Sequence, residues 1–270
     1  MPAKSDIIKG TECFVLDMDG TIYLGERLFD FTKEFLKTVE QCGKDYVFYT
    51  NNSSKNAEAY ITKLSNMNIS VSPDKMLISN QVIIQYMLQN YEGKSVYIVG
   101  TKYLSDDFKE AGIKVLDSRD ADMVILGFDT TLTYEKLCIA CDMVRDGKTI
   151  LGVNPDINCP TDGGFIPDCG SMAALIAKST GVMPEFFGKP SRHTLEYVKQ
   201  RTGYSEAGIT FIGDRLYTDI AITDGTAAHS ILVLTGESSE EDVKKGNYHP
   251  DAICSSLAEI TAILKELYTL

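Results

Sequence analysis

The chain lacks any apolar run near the roughly 18 residues that a membrane-spanning helix requires, so a membrane protein is not expected. Positive charge is also scarce, because 26 Lys and Arg stand against 38 Asp and Glu, which gives a net charge of −12. A nucleic acid or an acidic membrane surface is therefore not expected as the main partner. A small anionic substrate is compatible with this charge, since a bound cation can reverse the local field.

The sequence also has little that indicates secretion. The first ten residues lack the apolar core of a signal peptide. Seven cysteines are scattered without regular spacing, and an odd number does not fit a disulfide framework. These features predict a cytoplasmic protein with reduced thiols. The composition is 44% hydrophobic and 24% charged, without repeats or low-complexity tracts, which is typical of a globular protein.

One stretch near the start of the chain combines a strand signal with paired carboxylates. The residues from Phe14 to Leu16 are apolar and run directly into Asp17, followed by Asp19 and Gly20. An apolar run that ends in a turn signal predicts a buried strand, which places both aspartates at its carboxyl end, the edge where open α/β sheets bind ligands. Two clustered carboxylates repel unless a cation or a shared proton relieves them. The pattern predicts a Mg²⁺ site, with a solvated acidic turn as the alternative.

Strand and helix signals alternate along the rest of the chain. Short apolar runs are followed by segments of helical periodicity, which predicts an α/β fold with a mainly parallel sheet. A length of 270 residues fits one large domain or two unequal ones. The segment from Asn154 to Pro167 is dense in Pro and Gly, so it predicts an irregular loop, and a loop of this length in a compact protein is usually functional.

Three further predicted strands end in polar residues, and each of these residues fits phosphoryl transfer. Thr50 and Lys189 follow apolar strands, and so does Asp214. We expect the Thr50 side chain and the backbone N–H groups after it, beginning with Asn51, to hold phosphoryl oxygens. Lys189 supplies positive charge to the same oxygens.

The aspartates complete this chemistry. An Asp carboxylate can attack phosphorus and form an acyl phosphate, which divides one difficult step into two. Mg²⁺ takes one or two carboxylates together with a substrate phosphate, and Asp17 and Asp214 fit that requirement. Asp19 is then expected to offer its backbone carbonyl to the metal, which leaves its side chain to protonate the leaving oxygen and later to deprotonate water.

Taken together, these motifs resemble the haloacid dehalogenase (HAD) superfamily. Its D-x-D-G-T motif matches the chain from Asp17, and its second motif matches Thr50. Its third motif matches Lys189 within Gly-Lys-Pro, and its acidic fourth motif matches G-D-x-x-x-T-D from Gly213 to Asp219. Three further segments resemble the NagD / p-nitrophenylphosphatase-like branch, namely residues 50–53, 154–156 and 169–171.

The resemblance implies a HAD-like core, a mainly parallel sheet with helices on both faces, and a smaller α/β cap domain inserted into it. It places the core at 1–81 and 186–270 and the cap at 82–185. It further implies a Mg²⁺-dependent phosphoric monoester hydrolase that acts on small phosphate esters, such as nucleotide, sugar or aryl phosphates, and a possible homodimer formed through the cap.

The resemblance also implies roles for individual residues. It implies Asp17 as the nucleophile and Asp19 as the general acid and base. It implies Asp17, Asp214 and the Asp19 carbonyl as Mg²⁺ ligands, with Asp219 as the residue that orients Lys189 or water on the metal. It further implies Thr50, Asn51 and Lys189 as phosphate-binding residues, and Asn154 and Asp156 as possible substrate contacts from the cap. Asp168 departs from the pattern, since relatives more often carry a small residue there. An added carboxylate at that position is expected to affect substrate preference.

Other functions compete with hydrolysis. A phosphomutase or another HAD phosphotransferase would keep the same residues and exclude water. A phospho-acceptor signalling domain also surrounds a strand-end Asp with acidic residues, a Thr and a Lys, but it needs no leaving-group acid at Asp19 and is about half this length. A dehalogenase likewise needs no acid at Asp19, and a non-catalytic binding protein needs no complete set of acids.

Overall fold

A computed structural model of the chain describes residues 3–161 and 163–270. The strands of the described residues are β1 Cys13–Leu16, β2 Tyr23–Leu24, β3 Arg27–Leu28, β4 Asp45–Thr50, β5 Met76–Ile78, β6 Val96–Val99, β7 Met123–Leu126, β8 Ile150–Gly152, β9 Asn158–Thr161, β10 Gly164–Pro167, β11 Glu185–Phe186, β12 Ile209–Gly213, β13 His229–Val233 and β14 Ala252–Cys254. The helices are α1 Lys4–Gly10, α2 Thr32–Gln41, α3 Ala57–Asn66, α4 Ser79–Asn90, α5 Lys102–Glu110, α6 Tyr134–Arg145, α7 Cys169–Thr180, α8 Arg192–Thr202, α9 Glu240–Lys245 and α10 Leu257–Tyr268.

The chain divides into two compact units. The first comprises residues 3–50, Ile61–Leu77 and Leu195–Leu270, and the second comprises Asn51–Tyr60 and Ile78–Thr194. The domain boundaries at 82 and 185 that the sequence predicts stay a prediction, because compactness does not identify where an inserted domain begins. Among the described residues, none of the helices combines the length and the apolar character needed to cross a bilayer.

The first unit is built on a six-stranded sheet with the order β14-β13-β12-β1-β4-β5. β1 pairs in parallel with β12 on one side and with β4 on the other, and β13 and β14 continue in parallel beyond β12. The central strands are almost entirely buried, as expected for a parallel sheet with helices on both faces. Because the strand order runs outward in both directions from β1, the sheet changes direction beside that strand, which is where doubly wound folds bind ligands.

The second unit contains a four-stranded sheet with the order β11-β8-β7-β6, and its pairs are parallel. Its core is formed by strand residues such as Val124 and Leu126, which pack against Ala140 and Met143 of α6 and Ile176 of α7. The predicted alternation of strands and a mainly parallel α/β arrangement are therefore confirmed in both units.

The prediction of an irregular loop over Asn154–Pro167 is wrong for most of that segment. β9 and β10 form an antiparallel hairpin in which Thr161 lies opposite Gly164. Proline is tolerated here because each strand of a two-stranded ribbon has a free edge, where a missing N–H costs no ladder hydrogen bond. Asp-Gly at 162–163 is also a sequence typical of a hairpin turn, although Asp162 lies outside the described residues.

Candidate active site

The three strand-end residues of the first unit lie at one edge of its sheet. In the strand register, Leu16 at the end of β1 lies beside Phe48 of β4 and Ile212 of β12. The N–H of Asp17 continues the ladder by donating to the Ile212 carbonyl at 2.9 Å. Thr50 is the last residue of β4 and Asp214 is the first after β12. Parallel strands thus bring these polar residues to the same carboxyl edge, as the sequence predicted.

Three carboxylates of this unit cluster together. Asp17, Asp214 and Asp219 each place an oxygen within 4.8 Å of the others. Asp214 and Asp219 are buried and Asp17 is half-buried. Asp219 lies in a single π-helical turn, Leu216–Ile220, and its Oδ2 accepts the backbone N–H of Arg215 at 3.1 Å. This turn curves the chain after β12 back toward the edge of the sheet and brings Asp219 beside Asp214.

The two carboxylate oxygens of Asp214 have different surroundings. Its Oδ2 accepts the backbone N–H of Glu237 at 2.6 Å, whereas its Oδ1 is buried and has no hydrogen-bond partner among the described residues. Burial, followed by the nearby charge of Asp219, raises the pKa of Asp214 to about 7. A buried carboxylate with one unsatisfied oxygen is costly unless a cation takes the open position. The oxygen donor set suits a hard divalent cation such as Mg²⁺.

Three glycines allow the backbone to pass close to these acids. A Cβ at Gly20 would lie 2.5 Å from Asp214 Oδ2, and a Cβ at Gly236 would lie 1.9 Å from the same atom. A Cβ at Gly213 would lie 2.2 Å from the carboxyl carbon of Asp219. Gly20 also has a φ of +87°, which L side chains rarely adopt, and this explains why glycine follows the two aspartates of the first motif.

Replacing Gly236 with alanine is expected to lower the free energy of unfolding by about 1–3 kcal/mol, because the added methyl group overpacks the Asp214 carboxylate. Urea denaturation of both proteins measures this difference. Gly10→Ala is the matched control, since a Cβ at Gly10, the last residue of α1, meets no heavy atom within 4 Å, and it should leave stability unchanged or raise it by up to about 1 kcal/mol. Equal stability of Gly236→Ala and the unaltered protein would show that this close approach is not required.

The side chain of Asp19 has different neighbours. In the described part of the chain it is not one of the three clustered carboxylates. Its Oδ2 lies 3.4 Å from the hydroxyl of Tyr23, which can donate to it. Tyr23 begins the β2–β3 hairpin, and the Lys63 ammonium lies 3.7 Å from the centre of the Tyr23 ring.

In the second unit, the side chain of Asn51 is hydrogen-bonded to the backbone of Lys189. The Lys189 N–H donates to Asn51 Oδ1 at 2.8 Å, and Asn51 Nδ2 donates to the Lys189 carbonyl at 2.9 Å. Both residues are buried, with exposed fractions of 7% and 2%. The carboxamide of Asn51 is therefore used within the protein, and the phosphate-binding role of its backbone N–H stays a prediction.

Asn154 and Asp156 belong to the same buried network. Asn51 Nδ2 and Asn154 Nδ2 each donate to Asp156 Oδ2 at 2.8 Å. Asn154 Nδ2 also donates to Asp168 Oδ1 at 3.1 Å, and its Oδ1 accepts the Ser53 hydroxyl at 3.0 Å. Both side chains are buried among protein groups. That Asn154 and Asp156 contact the substrate stays a prediction.

Asp168, the departure from the family pattern, has a structural use. Its Oδ1 accepts the N–H of Cys169 at 2.5 Å and so caps the N-terminus of α7, while the same atom accepts from Asn154. The side chain is 3% exposed. The carboxylate therefore anchors the start of a helix and one end of the buried network.

The structure thus brings together two sets of the predicted residues. The sets are Asp17, Asp214 and Asp219 in the first unit, and Asn51, Asn154, Asp156 and Lys189 in the second. Sequence reasoning missed the loop after β13, where Gly236 and Glu237 contact Asp214. The Thr-Gly pair after β13 was a sequence signal for a functional loop at this position. The Glu237 contact gives no signal of its own, because it is made by the backbone N–H and not by the side chain.

Comparison with known proteins identifies the family. Residues 14–114 match a family model described as haloacid dehalogenase-like hydrolase, and residues 186–260 match a second, HAD-hydrolase-like model. An acid sugar phosphatase from Staphylococcus aureus is 33% identical over 259 residues, which cover 96% of this chain and all of the relative.

Solved structures agree with this match. The 4-nitrophenylphosphatase from Thermotoga maritima aligns with a TM-score of 0.90 and 39% identity, covering 95% of this chain and 98% of that one. A putative NagD protein aligns with a TM-score of 0.87 and 38% identity, covering 94% and 98%. With such similarity along nearly its whole length, the chain belongs to the haloacid dehalogenase-like hydrolases and is a phosphoric monoester hydrolase of their NagD-like branch.

Proposed function

We propose that this enzyme hydrolyses small phosphomonoesters in a Mg²⁺-dependent reaction that passes through an aspartyl phosphate on Asp17. The observation that carries the proposal is the cluster of Asp17, Asp214 and Asp219 at the carboxyl edge of the sheet, with one buried oxygen of Asp214 left unsatisfied. Carboxylates held this close repel one another unless a cation or a shared proton relieves them, and the proposal assigns that role to a cation. A cation there would also receive the phosphate of a substrate.

The residues that would hold Mg²⁺ are Asp17, Asp214 and the backbone carbonyl of Asp19, with Asp219 beside them. When bound, the cation neutralises the carboxylates and polarises a phosphoryl oxygen. Asp219 accepts the Arg215 N–H and lies next to Asp214, which supports a role in orienting Lys189 or water on the metal rather than in reacting itself.

The reaction proceeds in two steps on the protein's own groups. The Asp17 carboxylate attacks phosphorus, the bond between phosphorus and the ester oxygen breaks, and Asp19 donates its proton to that oxygen. Water then attacks the phosphorus of the aspartyl phosphate while Asp19 takes a proton from it, which releases phosphate and restores Asp17. The position of Asp19 outside the carboxylate cluster supports this division of roles.

Thr50, the backbone N–H of Asn51 and the Lys189 ammonium are proposed to hold the phosphoryl oxygens. Fixed donors and a cation aimed at these oxygens stabilise the charge that they carry in the transition state. This part of the proposal is supported by the position of Thr50 at the sheet edge and by the hydrogen bonds that attach Lys189 to Asn51.

The substrates proposed are nucleotide, sugar and aryl phosphates, p-nitrophenyl phosphate among them, in keeping with the relatives named for sugar and nitrophenyl phosphates. Residues 82–185 are proposed as an inserted α/β cap domain, and a homodimer is proposed to form through it. Seven free cysteines support action in the reducing cytoplasm.

Purified enzyme with Mg²⁺ is expected to release phosphate from p-nitrophenyl phosphate, and removal of the metal by a chelator should abolish this activity until Mg²⁺ is restored. A panel of phosphate esters assayed with and without Mg²⁺ measures both the dependence and the preferred leaving group. Thermal unfolding gives an independent readout, since Mg²⁺ at 100 times its dissociation constant should stabilise the folded protein by about 2.7 kcal/mol. Full activity after chelation would refute the proposed metal dependence.

A further inference from the structure

The Asn51 side chain contacts Lys189 in the way that a neighbouring β-strand would. Its carboxamide receives the Lys189 N–H on Oδ1 and donates from Nδ2 to the Lys189 carbonyl, at 2.8 and 2.9 Å. Both backbone hydrogen-bonding groups of one residue are thus satisfied by a single side chain. The two residues are 138 positions apart in the chain, so this pairing fixes a long-range relation.

We propose that Asn51 is a positioning residue whose carboxamide sets the place of Lys189, and that Asp156 and Asn154 hold that carboxamide in its working orientation. The importance of this positioning for catalysis rests on the proposed function, in which Lys189 binds the phosphoryl group. Asn154 and Asp156 then act on Lys189 through Asn51, and they need not touch the substrate.

Asp156 determines which way the Asn51 amide points. An ionised carboxylate can only accept hydrogen bonds, and Asp156 Oδ2 accepts from the Nδ2 atoms of both Asn51 and Asn154. Turning the Asn51 amide over would place its oxygen against this carboxylate and against the Lys189 carbonyl. The contact with Asp156 therefore selects the orientation that engages both backbone groups of Lys189.

Asn154 supports Asp156 from the other side. Its Nδ2 donates to Asp156 and to Asp168, and its Oδ1 accepts from Ser53. Both the nitrogen and the oxygen of its carboxamide are therefore hydrogen-bonded within the protein. Asp168 is held in turn by the N-terminus of α7. The network thus runs through successive hydrogen bonds from the N-terminus of α7 to the backbone of Lys189.

Burial and close packing make this arrangement rigid. Asn51, Asn154, Asp156 and Asp168 are all between 0% and 7% exposed. Gly188 permits the approach, since a Cβ there would lie 2.6 Å from Asn51 Oδ1 and 2.9 Å from the Val153 carbonyl. In such a low-dielectric setting, each hydrogen bond is strong and each lost partner is costly.

The protection of Lys189 from chemical labelling tests the proposal without any substrate or metal. An amine-acylating reagent, followed by mass spectrometry, should modify Lys189 about tenfold more slowly than Lys102, whose side chain is 85% exposed. In Asn51→Ala the labelling rate of Lys189 should rise about tenfold, because its backbone is released. The rates at Lys102 and at Lys63, which is 14% exposed, should stay unchanged, and this separates a local release from general unfolding.

Two further variants refine the test. Asp156→Asn keeps the size of the side chain but removes its charge, and it should raise the labelling of Lys189 less than Asn51→Ala does. Asp156→Asn also tests the proposal if Asn51→Ala does not fold. Asn52→Ala is the matched control, because the neighbouring Asn52 uses its Oδ1 to accept the Ser54 N–H at 3.1 Å, and Lys189 should stay protected in that variant.

Kinetics distinguish positioning from substrate contact. If Asp156 positions Lys189, Asp156→Asn should lower kcat/KM by the same factor, up to about 10²-fold, for p-nitrophenyl phosphate and for a sugar phosphate, because both share the phosphoryl group. A residue that touches the leaving group would give unequal factors, and that result would overturn the positioning role of Asp156.

The outcomes also separate this inference from the proposed function. If Lys189 is as protected in Asn51→Ala and Asp156→Asn as in the unaltered protein, the inference is wrong whether or not the enzyme hydrolyses phosphate esters. If labelling rises as expected but the unaltered enzyme releases no phosphate, the positioning of Lys189 stands and the proposed function fails.

Discussion

Asp17→Asn is expected to abolish release of phosphate from p-nitrophenyl phosphate, lowering kcat by a factor of about 10⁴ or more. The carboxamide has nearly the shape of the carboxylate, but it is not a nucleophile at neutral pH and it forms no acyl phosphate. It also removes one of the two carboxylates that are proposed to hold Mg²⁺, which lies in the cluster with Asp214 and Asp219. A continuous assay of p-nitrophenolate at saturating Mg²⁺ measures the loss.

Two controls distinguish this loss from damage to the fold. Asp30→Asn makes the same chemical change at an exposed position of the same unit and should keep full activity. Metal-free Asp17→Asn should unfold at the same temperature as the unaltered protein or higher, because one source of repulsion among Asp17, Asp214 and Asp219 is gone. Activity that persists in folded Asp17→Asn would end the case for a covalent aspartyl phosphate.

The carboxylate edge of the sheet was predictable because its signals are local. Each strand reads as a short apolar run, and the polar residue that follows is visible directly in the sequence, as with Asp17 after Leu16 and Asp214 after Gly213. Parallel pairing then brings the strand ends to one edge, since parallel strands share their direction. Recognition of the four motifs supplied the residue roles, which periodicity alone does not give.

The buried network around Asn51 was not predictable in the same way. Its contacts join residues 105 and 138 positions apart, and no local pattern specifies such a pairing. The family resemblance gives Asn154 and Asp156 as possible substrate contacts, and that stays a prediction. The structure shows that both side chains are buried and that Asn51, Ser53 and Asp168 form hydrogen bonds with them, which no local sequence signal indicates.

Asp19→Asn is expected to slow the first step of the reaction by a factor that depends on the leaving group. p-Nitrophenolate is a stable anion and departs without a proton, so kcat/KM for its ester, which reports the first step, should change little. A sugar alkoxide needs the proton from Asp19, so kcat/KM for a sugar phosphate should fall by about 10²–10⁴-fold. Steady-state measurements on both esters with the same enzyme preparation give the two ratios.

The second step requires Asp19 with every substrate, because water must lose a proton as it attacks the aspartyl phosphate. In Asp19→Asn the intermediate should therefore accumulate, and rapid mixing with p-nitrophenyl phosphate should release about one equivalent of p-nitrophenolate per enzyme before a slow steady state. Asp17→Asn should show no such burst, since no intermediate forms. If Asp19→Asn turns over both esters at the unaltered rate, Asp19 is not the general acid and base, and the proximity of its side chain to the Tyr23 hydroxyl has no part in proton transfer.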